Sequence, residues 1–222
     1  MKALVAGATG ETGRRIVREL VNRSIPVRAL VRDPAKAADV LPQTGVELFE
    51  GDVLLPATLT HAMVDCTVVL CATGARPTLN PLEPYRVDFE GTKNLVDAAK
   101  QADIQQFVLV SSLCVSRFFH PLNLFWFVLA WKKQAEEYLR RSGLTHTIVR
   151  PGGLTNESSS EALFLSSADT LFEGRIPRED VALVCVESLF QETARDRVLE
   201  IITRADVPAR SIAQLLDAMT SV

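Results

Sequence analysis

The sequence predicts an α/β domain built on a doubly wound parallel sheet with helices on both faces. Short apolar runs alternate with helix-patterned stretches along the chain, which is the order that successive strand–helix–strand units produce. A glycine-rich stretch, GATGETG, lies between the first apolar run and the first helical stretch. The chain has 222 residues, of which 47% are hydrophobic and 23% charged, and this composition is typical of one globular domain.

The N-terminal half predicts two strand–helix–strand units. Residues 2–6 (KALVA) form the first predicted strand. Residues 11–24 are predicted to be a helix, because apolar residues such as Ile16 and Leu20 recur there at helical spacing. Residues 27–31 (VRALV) complete the first unit. The second unit consists of a strand at 46–50, a short helix at 56–63 and a β-branched strand at 67–72.

The C-terminal half continues the alternation. Its predicted elements are a helix at 90–102, a strand at 106–112, a long helix ending at Gly143, a strand at 146–150, helices at 179–190 and 209–219, and a strand at 198–202. Gly143 is expected to end the long helix because glycine accepts the left-handed backbone that closes helices. Apolar strands separated by helices indicate a parallel sheet covered on both faces. Residues 155–162 (TNESSSEA) read as a flexible loop and a candidate lid.

The net charge limits the classes of binding partner, and the cysteine pattern indicates the cellular compartment. A net charge of −3 and a pI near 5.7 provide no general field for nucleic acid. The four cysteines (Cys66, Cys71, Cys114 and Cys185) contain no CxxC pair and are expected to be buried free thiols. No His/Cys/Asp spacing indicates a metal site. Because Lys2 leads at once into ALVAGATG, no signal peptide is expected, and we predict the cytosol or an equivalent reducing compartment such as the plastid stroma.

An apolar stretch at Leu124–Trp131 (LFWFVLAW) stands out within an otherwise mixed sequence. It is too short to span a bilayer, which takes about 20 apolar residues. Three interpretations are open: it packs inside the domain or at a subunit contact, it forms a pocket wall or partner surface with the aromatic residues Phe125, Trp126 and Phe127, or it lies on a membrane. The wider segment from Phe118 to Trp131 is the candidate surface for a protein or membrane contact.

The glycine-rich stretch predicts a nucleotide site. Gly7, Gly10 and Gly13 lie between the first strand and the first helix, where a tight turn brings backbone N–H groups against a diphosphate at the helix N-terminus. No acidic residue follows the second strand to hold a ribose 2′-hydroxyl. Arg32 lies there instead, and a guanidinium suits the 2′-phosphate of NADP(H). The alternative is a solvated arginine beside Asp33.

These segments, in this order, resemble the atypical or extended branch of the short-chain dehydrogenase/reductase superfamily. GATGETG resembles its glycine signature, GDV (51–53) its adenine-contacting segment, CATG (71–74) the loop under the cofactor, and RPGG (150–153) the turn near the nicotinamide. The resemblance implies a Rossmann domain over 1–222 with its substrate-side portion at 151–222. The implied cofactor-binding residues are Gly7, Thr9, Gly10, Glu11, Thr12, Gly13, Arg32, Asp52, Val53, Ala72, Thr73, Gly74, Ser111, Lys132, Pro151 and Gly152. Within the superfamily, the sequence looks most like the biliverdin reductase B/flavin reductase, NmrA-like and Tic62/Ycf39-like proteins.

The catalytic residues of this superfamily are only partly matched. Its standard mechanism uses a serine, a tyrosine and a lysine four residues after the tyrosine. Ser112 matches the serine and Lys132 the lysine, but Val128 stands where the tyrosine would be. Lys132 could alternatively be a helix-surface cation near Glu136. Reduction of an ordinary ketone is therefore disfavoured, whereas flavins and other planar conjugated acceptors spread the incoming charge and can be protonated later by water.

Two functions from different classes follow from these patterns. The first is an NADPH-dependent reductase of a flavin (FMN or FAD) or another planar aromatic acceptor, with Ser112 and Lys132 as catalytic residues. The second is a non-catalytic NADP(H)-sensing or assembly factor that binds a protein or pigment partner. Weaker candidates are His120, which could donate a proton although a lone loop histidine usually has no such role, and Tyr85, which could reach the pocket mouth.

Overall fold

The computed structural model describes residues 1–75, 79–124 and 126–219. The strands are β1 Ala3–Ala6, β2 Val27–Val31, β3 Val46–Glu50, β4 Val68–Cys71, β5 Gln106–Val110, β6 His146–Pro151, β7 Gly153–Thr155, β8 Ala162–Ser166, β9 Arg175–Pro177 and β10 Arg197–Arg204. The α-helices are α1 Glu11–Asn22, α2 Pro34–Ala38, α3 Pro56–Ala62, α4 Gly91–Gln101, α5 Val128–Arg141, α6 Arg178–Glu187 and α7 Ile212–Ala218. A π-helix, Tyr85–Glu90, runs directly into α4.

The main sheet confirms the predicted doubly wound fold. Its strand order is β3-β2-β1-β4-β5-β6-β10-β8, and the chain reverses direction across the sheet between β1 and β4, where such folds bind ligands. All neighbouring strands are parallel except β8, which pairs antiparallel with β10. Strands β7 and β9 form a separate two-stranded parallel sheet.

Three short strands and one short helix differ from the expected elements. Strands β7, β8 and β9 were not predicted, because three to five residues are too few to show a period. Helix α2 was also not predicted, although local chemistry explains it. The Asp33 carboxylate accepts the Lys36 backbone N–H at 3.2 Å, and Pro34 occupies the first helical position.

Two apolar layers hold helices against the two sheet faces. On one face, Ile16 of α1 and Val181 of α6 are fully buried against the strands. On the other face, Leu59 of α3, Leu95 of α4 and Leu139 of α5 are fully buried. Each such side chain contributes about 1.5–3 kcal/mol by leaving water. Because β1, β2, β4, β5 and β6 are parallel, their carboxyl ends lie at one edge of the domain.

The apolar stretch is not one continuous buried helix. Helix α5 begins at Val128, and Leu129 is 1% exposed, which confirms interior packing at that position. The interior interpretation is wrong for Leu124 and Phe127, which are 83% and 51% exposed. Trp126 and Phe127 both have positive φ, near 58° and 59°, so the backbone turns sharply before the helix starts. Phe125 lies outside the described residues.

The exposed aromatic residues belong to the segment that joins β5 to α5, here called the β5–α5 loop (residues 111–127). Its solvent-exposed apolar side chains are those of Phe118, Phe119, Leu122, Leu124, Trp126 and Phe127. Asn123 holds the loop on α5: its buried side-chain oxygen accepts the Leu129 and Ala130 N–H groups at 3.0 and 3.2 Å. Among the described residues, no helix has the length and apolar character needed to cross a membrane.

Candidate functional site

Two adjoining cavities form a cleft at the carboxyl ends of the central strands. The first, of about 500 Å³, is lined by Gly7, Thr9, Gly10, Arg32, Asp52, Val53, Ala72, Thr73 and Gly74 among others. The second, of about 580 Å³, is lined by Thr12, Ala72, Thr73, Gly74, Ser111, Ser112, Lys132, Pro151 and Gly152 among others. The CATG segment lies at the junction of the two. The structure thus brings the predicted residues into one continuous cleft, except for Glu11 and Gly13.

The glycine turn is shaped by close backbone contacts. Gly7 has φ +75°, and a Cβ atom there would lie 2.6 Å from the Ala72 carbonyl oxygen. A Cβ on Gly13 would lie 2.1 Å from the Gly7 carbonyl oxygen, so Gly13 allows α1 to pack on the turn. Gly10 precedes α1, and no side chain caps this helix. Its first backbone N–H groups are thereby left for an anionic ligand. The Glu11 carboxylate pairs with Arg14 and Arg15 at 2.7 and 2.9 Å.

Arg32 lies in the first cavity immediately after β2. Asp33 does not neutralise it, because the Asp33 carboxylate pairs with Lys36 at 2.9 Å. Within the described residues, Arg32 makes no ion pair. Asp52 lines the same cavity, and one of its carboxylate oxygens accepts the Leu54 N–H at 2.9 Å, which fixes the side chain. The cavity lining therefore contains an oriented carboxylate and a guanidinium that makes no ion pair within the described residues.

Lys132 is not a surface cation near Glu136. Its Nζ lies 2.7 Å from Asp88 Oδ1, and the Asp88 side chain is fully buried. Burial alone would lower the pKa of Lys132, but the Asp88 charge and hydrogen bond outweigh it and raise this pKa above its ordinary value. The second Asp88 oxygen accepts the Ala75 N–H at 3.2 Å. The pair therefore supplies an ammonium that is charged at neutral pH, in the lining of the second cavity and close to Gly74.

Asp88 is a site residue that the sequence analysis missed. It lies in the π-helix that precedes α4, and such widened turns are frequent at functional sites. The available signal was an acidic residue in VDFEGTKN, a segment interpreted only as helix. Nothing in that local pattern indicates that its partner would be Lys132 on a different helix.

Ser111 and Ser112 follow β5 and line the second cavity. Ser111 is 7% exposed, and its Oγ has no hydrogen-bond partner among the described residues. A buried hydroxyl without a partner is uncommon in proteins and is expected to bond a ligand or water. Val128, which stands where the superfamily has its tyrosine, packs with Leu113 and Leu129 in a small apolar cluster. Ser111, Lys132 and the glycine turn together fit a dinucleotide with its nicotinamide end in the second cavity.

The remaining polar candidates differ in whether they line the second cavity. His120 lines the second cavity, whereas His61 is an exposed residue of α3 and His146 is buried at the start of β6. Tyr85 packs edge-on against Trp131, with ring centroids 5.0 Å apart, and is not among the residues that line the second cavity. All four cysteines are buried free thiols. No group of metal-binding side chains occurs within the described ranges.

A buried network of charged side chains supports one wall of the second cavity, the wall formed by residues that follow β6 in the sequence. Arg150 pairs with Glu136 at 2.7 Å and with Glu200 at 3.2 Å. Glu200 in turn accepts the Leu171 N–H at 2.7 Å, next to the cavity-lining residue Phe172. Asn156 in the candidate lid accepts a hydrogen bond from Arg178, another lining residue, at 3.0 Å. These contacts fix the wall; a lid movement of residues 155–162 stays a prediction.

Several known proteins are similar to this chain in sequence. A model of a family described as NAD(P)H-binding matches residues 7–192. The chain is 35% identical to TIC 62, a chloroplastic protein of Arabidopsis thaliana, over 98% of its own length but only 38% of that relative. It is 31% identical to the photosystem II assembly factor Ycf39 of Cyanophora paradoxa, covering 99% of this chain and 69% of the relative. The predicted resemblance to Tic62- and Ycf39-like proteins is confirmed.

Relatives with reductase names also match. Sanguinarine reductase of Eschscholzia californica is 31% identical, with coverage of 90% of this chain and 88% of that protein. The solved structure of an anaerobillin reductase, ChuY, from Escherichia coli O157:H7 is 26% identical, with a TM-score of 0.78 over 94% of this chain and all of that one. A putative NAD-dependent epimerase/dehydratase from Bacillus halodurans is 26% identical, with a TM-score of 0.85 and coverage of 98% and 99%.

Proposed function

Because the chain belongs to the NAD(P)H-binding family whose model matches residues 7–192, we propose that it is an NADPH-dependent oxidoreductase that reduces a flavin or another planar conjugated acceptor without a catalytic tyrosine. The observation that carries this proposal is the continuous cleft, which joins Arg32 at one end to the Lys132–Asp88 pair and the Ser111 hydroxyl at the other; in the described part of the chain, Arg32 has no ion pair and the Ser111 hydroxyl no hydrogen-bond partner. The names of sanguinarine reductase and anaerobillin reductase among the similar proteins support a reductase.

The residues of the cleft have distinct proposed roles. The turn at Gly7 and the first N–H groups of α1 bind the diphosphate, and Arg32 binds the 2′-phosphate. Asp52 contacts the adenine, and Lys132 holds the nicotinamide ribose. When bound, the cofactor supplies a hydride. The acceptor lies in the second cavity against Ser112, and residues 151–222 of the same domain supply the opposite wall.

The absence of an acid at Val128 restricts the acceptor. Loss of a general acid typically costs a factor of about 10² to 10⁴ in rate, which disfavours a simple ketone whose alkoxide needs a proton at once. A flavin, a quinone or a tetrapyrrole bridge spreads the charge over a conjugated ring system. Water can then protonate the product after the hydride has been transferred.

The function is tested by following the absorbance of NADPH at 340 nm, the band it loses on oxidation, with the purified protein and FMN, FAD, dichlorophenolindophenol or biliverdin in turn. We expect NADPH to be consumed with at least one of them. Binding of NADPH without consumption in the presence of all four would favour the non-catalytic alternative. A failure to bind NADPH at all would contradict both functions.

Selection of NADPH over NADH provides a first mutational prediction. Replacing Arg32 with glutamate should weaken NADPH binding by about 10- to 100-fold and NADH binding by less than about threefold, because a charge-assisted hydrogen bond to phosphate contributes roughly 1.5–3 kcal/mol. Binding is measured by titration of the nucleotide fluorescence. Arg140→Glu, on the exposed end of α5, is the control for charge and should leave both affinities unchanged. Equal losses for the two nucleotides with Arg32→Glu would contradict the role of Arg32.

A second candidate function rests on the β5–α5 loop. Phe119 and Leu124 are 96% and 83% exposed on one segment, and clustered exposed apolar side chains mark interaction surfaces. The similarity to an assembly factor of photosystem II supports a protein, pigment or membrane-surface contact through residues 118–131. The chloroplastic relative and the buried free thiols support the plastid stroma, ahead of the cytosol, as the reducing compartment.

A further inference from the structure

The second cavity needs a group that stabilises the acceptor as the hydride arrives, and Val128 cannot supply one. The ionisable side chains among its described lining residues are Cys114, His120, Lys132, Glu173 and Arg178. Lys132 is paired with Asp88, and the Cys114 thiol donates to the Phe172 carbonyl oxygen at 3.1 Å. Glu173 is a carboxyl group, which as a carboxylate accepts hydrogen bonds only. Besides the Ser111 and Ser112 hydroxyls, His120 and Arg178 are therefore the ionisable donors to consider.

The guanidinium of Arg178 lies near the start of α1. Its guanidinium donates to Asn156 at 3.0 Å, and its charge lowers the pKa of Glu11 as one of several smaller causes that follow the Arg15 hydrogen bond. This places Arg178 on the α1 side of the cavity. His120 lies on the β5–α5 loop, which continues from Ser111 and Ser112, and it lines the same cavity as these two serines.

The backbone around His120 determines which ring nitrogen carries hydrogen. The Leu122 N–H donates to His120 Nδ1 at 3.2 Å, and this bond requires a lone pair on Nδ1. The ring is then neutral, with its single N–H on Nε2. His120 is consequently arranged as a hydrogen-bond donor rather than as the proton source that its residue type first indicated.

The loop holds this ring in a defined position. The His120 N–H donates to the Arg117 carbonyl oxygen at 3.1 Å, and its own carbonyl oxygen accepts the Asn123 N–H at 2.9 Å. Asn123 is 7% exposed and also donates to the Phe118 carbonyl oxygen at 2.7 Å. Because Asn123 is bonded to the start of α5, the backbone of His120 is tied to the helix that carries Lys132.

We propose that neutral His120 donates a hydrogen bond from Nε2 to the oxygen or nitrogen of the acceptor on which negative charge develops during reduction. This inference rests on the proposed reductase function and deepens it. The C4–H bond of the dihydronicotinamide breaks, and its hydrogen and electron pair join the acceptor. The Nε2–H bond stays intact and stabilises the resulting anion. Water then protonates the anion, which completes a two-electron, two-hydrogen reduction. The acceptor class is therefore a conjugated ring system with a carbonyl oxygen or imine nitrogen.

The test compares two acceptors in variants of His120. Menadione develops negative charge on oxygen, whereas 10-methylacridinium accepts a hydride and becomes neutral without forming an anion. His120→Phe should lower kcat with menadione by about 10²-fold, the typical cost of losing one such donor, and should change kcat with 10-methylacridinium by less than about threefold. His120→Gln, which keeps an N–H donor, should retain most of the menadione activity. His61→Phe, on exposed α3, is the matched control.

The possible results distinguish the proposed role of His120 from the proposed reductase function. Activity with 10-methylacridinium shows that the variant is folded and binds NADPH. Equal losses with both acceptors, or no loss with menadione, would overturn the role of His120 while the reductase function stands. If the wild-type protein consumes NADPH with neither acceptor nor with any of the four above, the reductase function itself is overturned.

Discussion

Replacing Gly7 with alanine is expected to weaken NADPH binding by at least about 100-fold, which corresponds to about 2.7 kcal/mol. The added Cβ would lie 2.6 Å from the Ala72 carbonyl oxygen, and the residue would have to keep φ near +75°. The collision involves backbone atoms, which a rotamer change cannot relieve. The turn would therefore move and withdraw several N–H groups from the diphosphate at once. Isothermal titration with NADPH measures the effect.

Gly143→Ala is the matched control for this substitution. Gly143 has φ +82°, but nothing lies within 4 Å of a Cβ built there. This variant should lose about 1–2 kcal/mol of stability from left-handed strain and bind NADPH normally. Wild-type affinity in a folded Gly7→Ala protein would contradict the proposed diphosphate site. Circular dichroism distinguishes lost binding from lost folding.

Replacing Lys132 with methionine should lower the free energy of unfolding by about 3–5 kcal/mol, because it leaves the buried Asp88 carboxylate without its partner. It should also reduce the NADPH-dependent rate at least 100-fold. The double variant Lys132→Met/Asp88→Leu should recover most of the stability and none of the rate. Recovery of the rate in the double variant would show that Lys132 acts on folding alone. Urea denaturation and NADPH oxidation measure the two effects separately.

The exposed pair of Lys93 and Asp97 is the control for the loss of an ion pair. Their side chains are 41% and 38% exposed, so Lys93→Met should cost less than about 1 kcal/mol.

The raised pKa of Lys132 sets the pH range over which the Lys132–Asp88 pair stabilises the fold. Because its folded-state pKa lies above the unfolded value of about 10.4, the stabilisation is fully present below that pH. It is lost as the pH rises through the folded-state pKa.

Elements with their own local signal were predicted well. The periodicity of residues 11–24 matches α1, Glu11–Asn22, and the predicted strand at 27–31 matches β2. Elements without such a signal were missed. The antiparallel direction of β8 depends on its pairing with β10, more than thirty residues further along the chain, and no pattern within five residues reports such a pairing.

The residues of the candidate site also include some that the sequence predicted and some that it did not. Gly7 and Arg32 were predicted because their meaning depends on position relative to a strand end, which the sequence displays. Asp88 and the tautomer of His120 were not predicted. One depends on a salt bridge to a residue on another helix, and the other on a backbone N–H in a folded loop.

The sequence by itself determined the order of the longer strands and helices, the glycine turn and the gap at Val128, because each of these follows from residue type and spacing along the backbone. The tertiary structure alone decided which polar groups meet: Lys132 with Asp88, and Ser111 with the space of the cleft. Such contacts form between segments that folding brings together, and their strength depends on burial, which has no local signature in the chain.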